Sequence, residues 1–219
     1  MSSLGRRTAS LGEIDPAGSR HLGKRSTVAL ADDLILVGTE SGDLRAFDRD
    51  LSPQWTASGT GADDGSLVSI DTFEGRVVVG ERGPSGSVRC YDMDSGELRW
   101  RYETATDVGD PQDETRFLLP FVADSVAGEE RIYVAARRYE RSDDGRRFHS
   151  VVYAFDPDGT VAWRYRTDAS PISLAVRDRR VAVAYNRCPG DHRCGLVVLD
   201  SESGDECMTW DPGTDGGRR

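Results

Sequence analysis

The stretch RVVVG at residues 76–80, followed by GSVRCYD at 86–92 and DSGELRW at 94–100, decides the fold of this chain. Short runs rich in β-branched and aromatic residues, separated by glycine, serine and aspartate, are typical of antiparallel strands joined by tight turns. The same order recurs three more times along the 219 residues. Each copy ends on one of the four tryptophans of the chain, Trp55, Trp100, Trp163 and Trp210. The sequence therefore contains four copies of one repeat.

A further apolar strand precedes each copy, as in TVAL at residues 27–30, so each unit predicts an antiparallel meander of four strands. A single sheet whose inner strands are apolar cannot bury both of its faces, whereas similar sheets stacked around an axis can. We therefore predict an all-β fold, a β-propeller of four-stranded antiparallel blades with four repeats present. The predicted blades are residues 27–58, 67–104, 119–167 and 172–211, between a flexible lead-in at 1–26 and a polar tail at 212–219.

An aspartate follows the third strand of every unit, and the spacing of these aspartates shows where the units differ. Asp48, Asp92, Asp156 and Asp200 are separated by 44, 64 and 44 residues, so the third unit carries an insertion. Recurrence once per unit favours a structural role, in which the carboxylate accepts hydrogen bonds from turn amides. The inserted loops are where we expect the binding surface of a repeat protein.

The charge of the chain bears on its partners. A formal net charge of −10 argues against binding to nucleic acid or to an anionic membrane surface. Lys24 is the only lysine among 28 basic residues, which indicates a salt-loving source or, alternatively, a GC-rich genome that favours arginine codons. No apolar run approaches the length of a membrane span, and we expect a cytoplasmic location.

The densest group of metal-ligand residue types is CPGDHRC at residues 188–194. Cys188, His192 and Cys194 offer two thiolates and an imidazole, which suit zinc, although a closed site needs a fourth ligand and the usual cysteine spacing is tighter. The alternative is a hairpin tip between strands, closed by a disulfide if the compartment is oxidising. The alternative is favoured.

Arginines are concentrated on the long hairpin predicted for the third unit. In an otherwise acidic protein, such a patch is suited to docking phosphate or an acidic partner through bidentate contacts. The alternative is a solvated hairpin whose arginines pair with neighbouring carboxylates, and this reading is again favoured. The candidate partner-binding residues are Arg137, Arg138, Arg141, Arg146 and Arg147.

The order of an apolar-apolar-Val-Gly run, a turn glycine, a strand ending on aspartate, a Ser-Gly turn and tryptophan resembles the pyrroloquinoline-quinone-type β-propeller repeat. Residues 92–100 (DMDSGELRW) match it best, and the first unit departs most because LSPQ at 51–54 replaces the turn glycine. The resemblance implies that each tryptophan packs on the neighbouring blade. Enzymes of this family hold their quinone between an aromatic plane and a disulfide of adjacent cysteines, and no cysteines are adjacent here. The resemblance thus favours the non-catalytic branch, which includes the outer-membrane assembly lipoprotein, with no cofactor.

From these observations we expect a non-catalytic scaffold that binds a protein partner. The alternatives are a fragment of a quinone- or metal-dependent oxidoreductase, and a redox- or zinc-responsive module built on Cys188, His192 and Cys194. Because this type of repeat normally makes larger rings, we also expect an incomplete propeller with exposed terminal faces. Either two chains pair as a homodimer that completes an eight-bladed ring, or the chain is half of a longer product.

Overall fold

Sixteen strands and one short helix make up the part of the chain that the computed structural model describes, which is residues 8–9, 27–59, 65–112, 118–143 and 145–211. The predicted tail, and the predicted lead-in apart from residues 8–9, lie outside it. In chain order the elements are β1 (Thr27–Ala31), β2 (Leu34–Gly38), β3 (Leu44–Asp48), β4 (Pro53–Ala57), β5 (Ser66–Phe73), β6 (Arg76–Arg82), β7 (Ser87–Asp92), β8 (Leu98–Glu103), α1 (Ala105–Val108), β9 (Phe121–Ala127), β10 (Ile132–Ser142), β11 (Gly145–Phe155), β12 (Val161–Thr167), β13 (Ser170–Arg177), β14 (Arg180–Arg187), β15 (Leu196–Asp200) and β16 (Glu206–Trp210).

Every strand pairing in this part of the chain is antiparallel, which confirms the all-β prediction. Strands β1 to β4 form one four-stranded sheet and β13 to β16 another, both in chain order. Strands β5 to β12 form a single eight-stranded sheet, in which the residue pair Arg82–Phe121 joins β6 to β9. We call β1–β4, β5–β8, β9–β12 and β13–β16 units 1 to 4.

The units pack face to face, which explains the apolar runs of the inner strands, such as residues 77–79 of β6. In β6, Val77 and Val79 are buried in a cluster shared with unit 1, while Val78 points into a cluster shared with unit 3. In β10, Val134 belongs to the cluster shared with unit 2 and Ala135 to the cluster shared with unit 4. Because successive side chains of a strand point to opposite faces, a strand buried on both faces is largely apolar, and any polar residue in it needs a partner inside the protein.

A buried ion pair ties unit 2 to unit 1. The side chains of Glu81 and Arg89 are both 0% exposed, and a carboxylate oxygen lies 3.4 Å from the guanidinium. Arg89 also donates a hydrogen bond of 3.1 Å to the backbone carbonyl of Gly42 in unit 1. A charge this deep is tolerated only when it is paired and hydrogen-bonded, so the pair constrains how the two units meet.

Three tryptophans form hydrogen bonds from units 1, 2 and 3 to the unit that follows each of them. The indole Nε1 of Trp55, Trp100 and Trp163 donates a hydrogen bond to the carbonyl of Met93, Pro157 and Ser201, at 2.9, 3.1 and 3.0 Å respectively. In each case the acceptor is the residue after the recurrent aspartate of the following unit. The recurrent hydrogen bond gives these three tryptophans a structural role at the contact between neighbouring units. Trp210 in β16 is 57% exposed.

The recurrent aspartates hold the turns between the third and fourth strands in three units. Asp48, Asp92 and Asp200 each accept hydrogen bonds from two backbone amides of the turn that follows them. In unit 3 the arrangement differs: Asp158 accepts the amide of Thr160, and Asp156 binds the guanidinium of Arg131 at 2.8 Å. Among the described helices none is long and apolar enough to cross a bilayer.

Candidate functional site

A groove of about 890 Å³ lies across the junction of units 3 and 4. One wall is the long hairpin of β10 and β11, which contributes residues 146–151, and the opposite wall is the loop at 189–192. Residues 165–168, at the end of β12, form the floor. The groove therefore brings together the two regions that the sequence singled out separately, the arginine-rich hairpin and the cysteine–histidine loop.

The loop wall is held by one carboxylate. Asp168 accepts backbone hydrogen bonds from Asp191 at 2.5 Å and from His192 at 2.9 Å. Burial works against the charged form, but these backbone hydrogen bonds outweigh it and hold the pKa of Asp168 below its ordinary value. A side chain at Gly190 would collide with the carboxylate, since an added Cβ would lie 1.8 Å from Oδ2, so only glycine fits there. The ring of His192 rests against Tyr185, with centroids 4.4 Å apart.

The three candidate metal ligands lie in this loop without forming a ligand set. His192 Nε2 is 2.8 Å from the carbonyl oxygen of Cys194, and the Cys188 thiol donates to the same carbonyl at 3.6 Å. All four cysteines are free, so a disulfide does not close the loop. In the described ranges, the structure contains no group of three or more His, Cys, Asp or Glu side chains that could hold a metal ion.

The structure distributes the five candidate arginines among different environments. Arg146 and Arg147 line the groove, whereas Arg141 lies towards the end of the hairpin, opposite Arg146. Arg138 is buried: it donates to the carbonyl of Val108 at 2.8 Å and to Glu140 at 2.9 Å. The five residues therefore do not form one continuous surface, and Arg138 has a packing role.

The Arg138 contact extends to a histidine at the groove. His149 Nε2 lies 2.7 Å from Glu140 Oε2, the same oxygen that binds Arg138. The hydrogen bond from Arg138, followed by that from His149, holds the pKa of Glu140 below its ordinary value. His149 is thereby oriented at the groove by an ionised carboxylate.

Arg137 lies between two phenylalanine rings. Its guanidinium carbon is 5.2 Å from the centroid of Phe121 and 5.4 Å from that of Phe148, a groove residue. The guanidinium carbon of Arg82 also lies over the Phe121 ring, 4.1 Å from its centroid. Burial, then the nearby charges of Arg82 and Arg187, lower the pKa of Arg137 to about 10. Arginine and aromatic side chains thus alternate behind the hairpin wall, and cation–π contacts of this kind hold Phe148 in place.

Three of the four acidic side chains that line the groove have partners inside the protein; the exception among the described residues is Asp191. Asp107 binds the guanidinium groups of Arg164 and Arg166 and the hydroxyl of Tyr102. Burial opposes ionisation of Asp107, but these partners lower its pKa below the usual value. At the floor, Tyr165 donates to Glu206 at 2.5 Å. By contrast, no described carboxylate forms an ion pair with Arg146 or Arg147, so the groove presents unpaired positive charge.

The sequence indicated the hairpin but not what it faces. Nothing in the sequence connects Asp107, in the segment before the third unit, with the arginine-rich hairpin. Phe121, Phe148 and Tyr165 resembled ordinary strand residues. Besides the arginines and the cysteine–histidine loop, the insertion in the third unit points to this region, since both the hairpin and the segment that contains Asp107 belong to it.

Among known protein families, the model of outer membrane protein assembly factor BamB matches residues 17–117 and 40–211. No curated protein matches the chain in sequence.

Three solved structures illustrate the fold that the chain shares. Quinohemoprotein alcohol dehydrogenase from Comamonas testosteroni is 15% identical, with a TM-score of 0.66 over 84% of this chain and 34% of its own. A europium-containing methanol dehydrogenase is 9% identical, with a TM-score of 0.60 over 84% of this chain and 41% of its own. BamB from Moraxella catarrhalis is 20% identical, with a TM-score of 0.52 over 81% of this chain and 49% of its own. The chain therefore spans between a third and a half of the length of these structures.

Proposed function

The chain belongs to the repeat family of the outer membrane protein assembly factor BamB, and from this premise we propose that it is a non-catalytic β-propeller scaffold that binds a protein partner. In this proposal each of the four units is one blade, with the boundaries 27–58, 67–104, 119–167 and 172–211, and the four blades form part of a ring. The family match supports the propeller repeats, and the antiparallel meanders agree with them.

We place the partner site in the groove between units 3 and 4. The observation that carries this assignment is the pair of exposed guanidinium groups of Arg146 and Arg147, which line the groove and lack carboxylate partners among the described residues. Of the acidic lining residues, Asp107, Asp168 and Glu206 are bound internally, and Asp191 is the one whose carboxylate stays open to the groove among the described residues. Arginine forms bidentate hydrogen bonds with carboxylates, and the groove volume is in the range of sites that enclose a few side chains. The occupant that fits is an acidic segment of a partner protein.

A fluorescein-labelled oligoglutamate peptide, followed by fluorescence anisotropy, tests this assignment. The double variant Arg146→Glu and Arg147→Glu is expected to weaken binding about tenfold or more, because two favourable charge contacts become repulsive. The double variant Arg177→Glu and Arg179→Glu is the matched control, since it changes the net charge by the same amount. Both residues are exposed, pair with Asp178 and Glu202, and lie outside the groove lining. Equal loss in both proteins would mean that only the net charge matters, and the groove assignment would be abandoned.

A dehydrogenase fragment is the second candidate, favoured by the fold shared with the two dehydrogenases. The quinone site implied by the family resemblance does not fit the residues present. Cys90 is a core residue whose burial raises its thiol pKa to about 11, and Cys188, Cys194 and Cys207 are separate free thiols. The absorbance spectrum of the purified protein after incubation with the quinone tests this candidate: a stoichiometric bound chromophore would support it over the scaffold.

A further inference from the structure

In units 2, 3 and 4, an arginine of the second strand pairs with the first residue of the first strand. The pairs are Arg82 with Ser66, Arg137 with Phe121, and Arg187 with Ser170. Strand β9 contacts both β5 and β13, so these pairs lie at one end of three neighbouring units. The three arginines are not among the residues that line the groove. The repeat therefore places three guanidinium groups at a second location, outside the proposed partner site.

Phe121 holds two of these arginines close to each other. It pairs with Arg82 on one side of the ladder and with Arg137 on the other. The guanidinium carbons of both arginines lie within 5.2 Å of the centroid of its ring. Cation–π contacts of this kind position a guanidinium group, but the aromatic ring carries no net charge. The two positive charges therefore lie near each other, and the ring does not neutralise them.

Ser170 connects Arg137 to the third arginine. Nη1 of Arg137 donates a hydrogen bond of 2.6 Å to the Ser170 hydroxyl, and Arg187 is the residue opposite Ser170 in the ladder. The lowered pKa of Arg137 results from burial and then from the positive charges of Arg82 and Arg187. Both of these guanidinium groups are thus close enough to Arg137 to destabilise its charged form.

Arg137 lacks the acidic partner that a buried arginine normally has. Ser170 supplies its one hydrogen-bond acceptor in the described part of the chain, and its Nε is buried without an acceptor there. The next residue, Arg138, is by contrast bonded to Glu140. Arg187 is exposed and forms no ion pair with a described carboxylate. A partly buried guanidinium beside two like charges is costly unless an anion joins it.

We propose that Arg137 and Arg187, with Arg82 beside them, bind a phosphate dianion at the start of β9 and β13. Guanidinium groups donate paired hydrogen bonds to phosphate oxygens, and two negative charges interact about twice as strongly as one with the same arginines. The exposed Arg187 gives the ion access from solvent to the partly buried Arg137. The proposal goes beyond the scaffold function and uses none of the residues that line the groove.

Isothermal titration calorimetry with inorganic phosphate at about pH 7.5, where phosphate is mostly dianionic, in about 0.15 M sodium chloride tests the site. Arg137→Gln and Arg187→Gln each remove one charge and are expected to weaken phosphate binding about tenfold or more. Because Arg187 is exposed, Arg187→Gln tests the site even if Arg137→Gln does not fold. Arg179→Gln is the matched control, since Arg179 is an exposed arginine that pairs with Glu202, and its phosphate affinity should equal that of the parent.

Thermal unfolding distinguishes a binding role of Arg137 from a packing role. Phosphate at about ten times its Kd is expected to raise the Tm of the parent by about 3–6 °C over sodium chloride of equal ionic strength, and to raise that of Arg137→Gln much less. The proposal is overturned if phosphate shows no saturable binding, if Arg179→Gln loses as much affinity as Arg187→Gln, or if phosphate stabilises the parent and Arg137→Gln equally. The double variant Arg146→Glu and Arg147→Glu is expected to change phosphate affinity much less than Arg187→Gln does, since salt screens the groove charges. Failure here is therefore separate from failure of the acidic-peptide test.

Discussion

Two glycines with the same backbone φ allow the contribution of the tryptophan–glycine contact to stability to be separated from the backbone strain that alanine causes. Gly96 and Gly75 both have a φ of 71°. A Cβ at Gly96 would lie 2.6 Å from the ring of Trp55, whereas a Cβ at Gly75 meets nothing within 4 Å. Alanine at either position is strained by the left-handed backbone, at roughly 1–2 kcal/mol. Only alanine at position 96 also has to displace an indole.

The displacement has a definite expected magnitude. The indole of Trp55 donates a hydrogen bond of 2.9 Å to Met93, and losing such a bond costs about 1 kcal/mol. Forcing a methyl group into an occupied site costs a further ~1–3 kcal/mol. We therefore expect Gly75→Ala to lower the free energy of unfolding by about 1 kcal/mol and Gly96→Ala by about 3 kcal/mol.

Urea unfolding followed by far-ultraviolet circular dichroism measures the difference, with the m-value checked for each protein. The informative quantity is the gap of about 2 kcal/mol between the two variants, because the shared backbone strain cancels. Trp55→Phe offers an internal check, since Gly96→Ala should cost less when the larger ring is absent. If both alanine variants lose the same stability, the tryptophan–glycine contact contributes nothing to the stability of the fold.

Three further predictions concern charge and titration. Glu81→Ala is expected to destabilise the chain by about 3–5 kcal/mol in urea unfolding, because it leaves the Arg89 charge buried without its carboxylate; Arg177→Ala should have almost no effect. The lowered pKa of Asp168 stabilises the fold above the carboxyl pKa of the unfolded chain, and this contribution is lost as the pH falls through the folded value, so Asp168→Asn should flatten the acid limb of stability against pH. At pH 8 the exposed Cys207 should react quickly with Ellman's reagent, whereas Cys90, with its pKa raised to about 11 by burial, should react only on unfolding; equal rates in the native protein would contradict its placement in the core.

The sequence predicted the features that depend on residues close together in the chain, and it did not predict the features that depend on residues far apart. Apolar runs predict the strands, and glycine and aspartate predict the turns between them, because both patterns span only a few residues. These predictions agree with the observed antiparallel meanders. The groove was beyond reach, because the hairpin near Arg146 and the loop near His192 are about forty-five residues apart and meet only when units 3 and 4 pack. Leu51 was visible as a departure from the turn pattern.

The packing of the units also determines the order in which they unfold locally. Each hydrophobic cluster is shared by two adjacent units, so among the described residues units 2 and 3 are supported on both sides and units 1 and 4 on one. In such a linear array of couplings, opening begins at the ends, and amide hydrogen exchange should be fastest in β1 and β16 and slowest in β6 and β10. A ligand in the groove bridges a well-supported unit and a terminal one, so binding there would slow the fraying of unit 4. Ligand occupancy of the groove and protection of the unit 4 amides from exchange would then rise together.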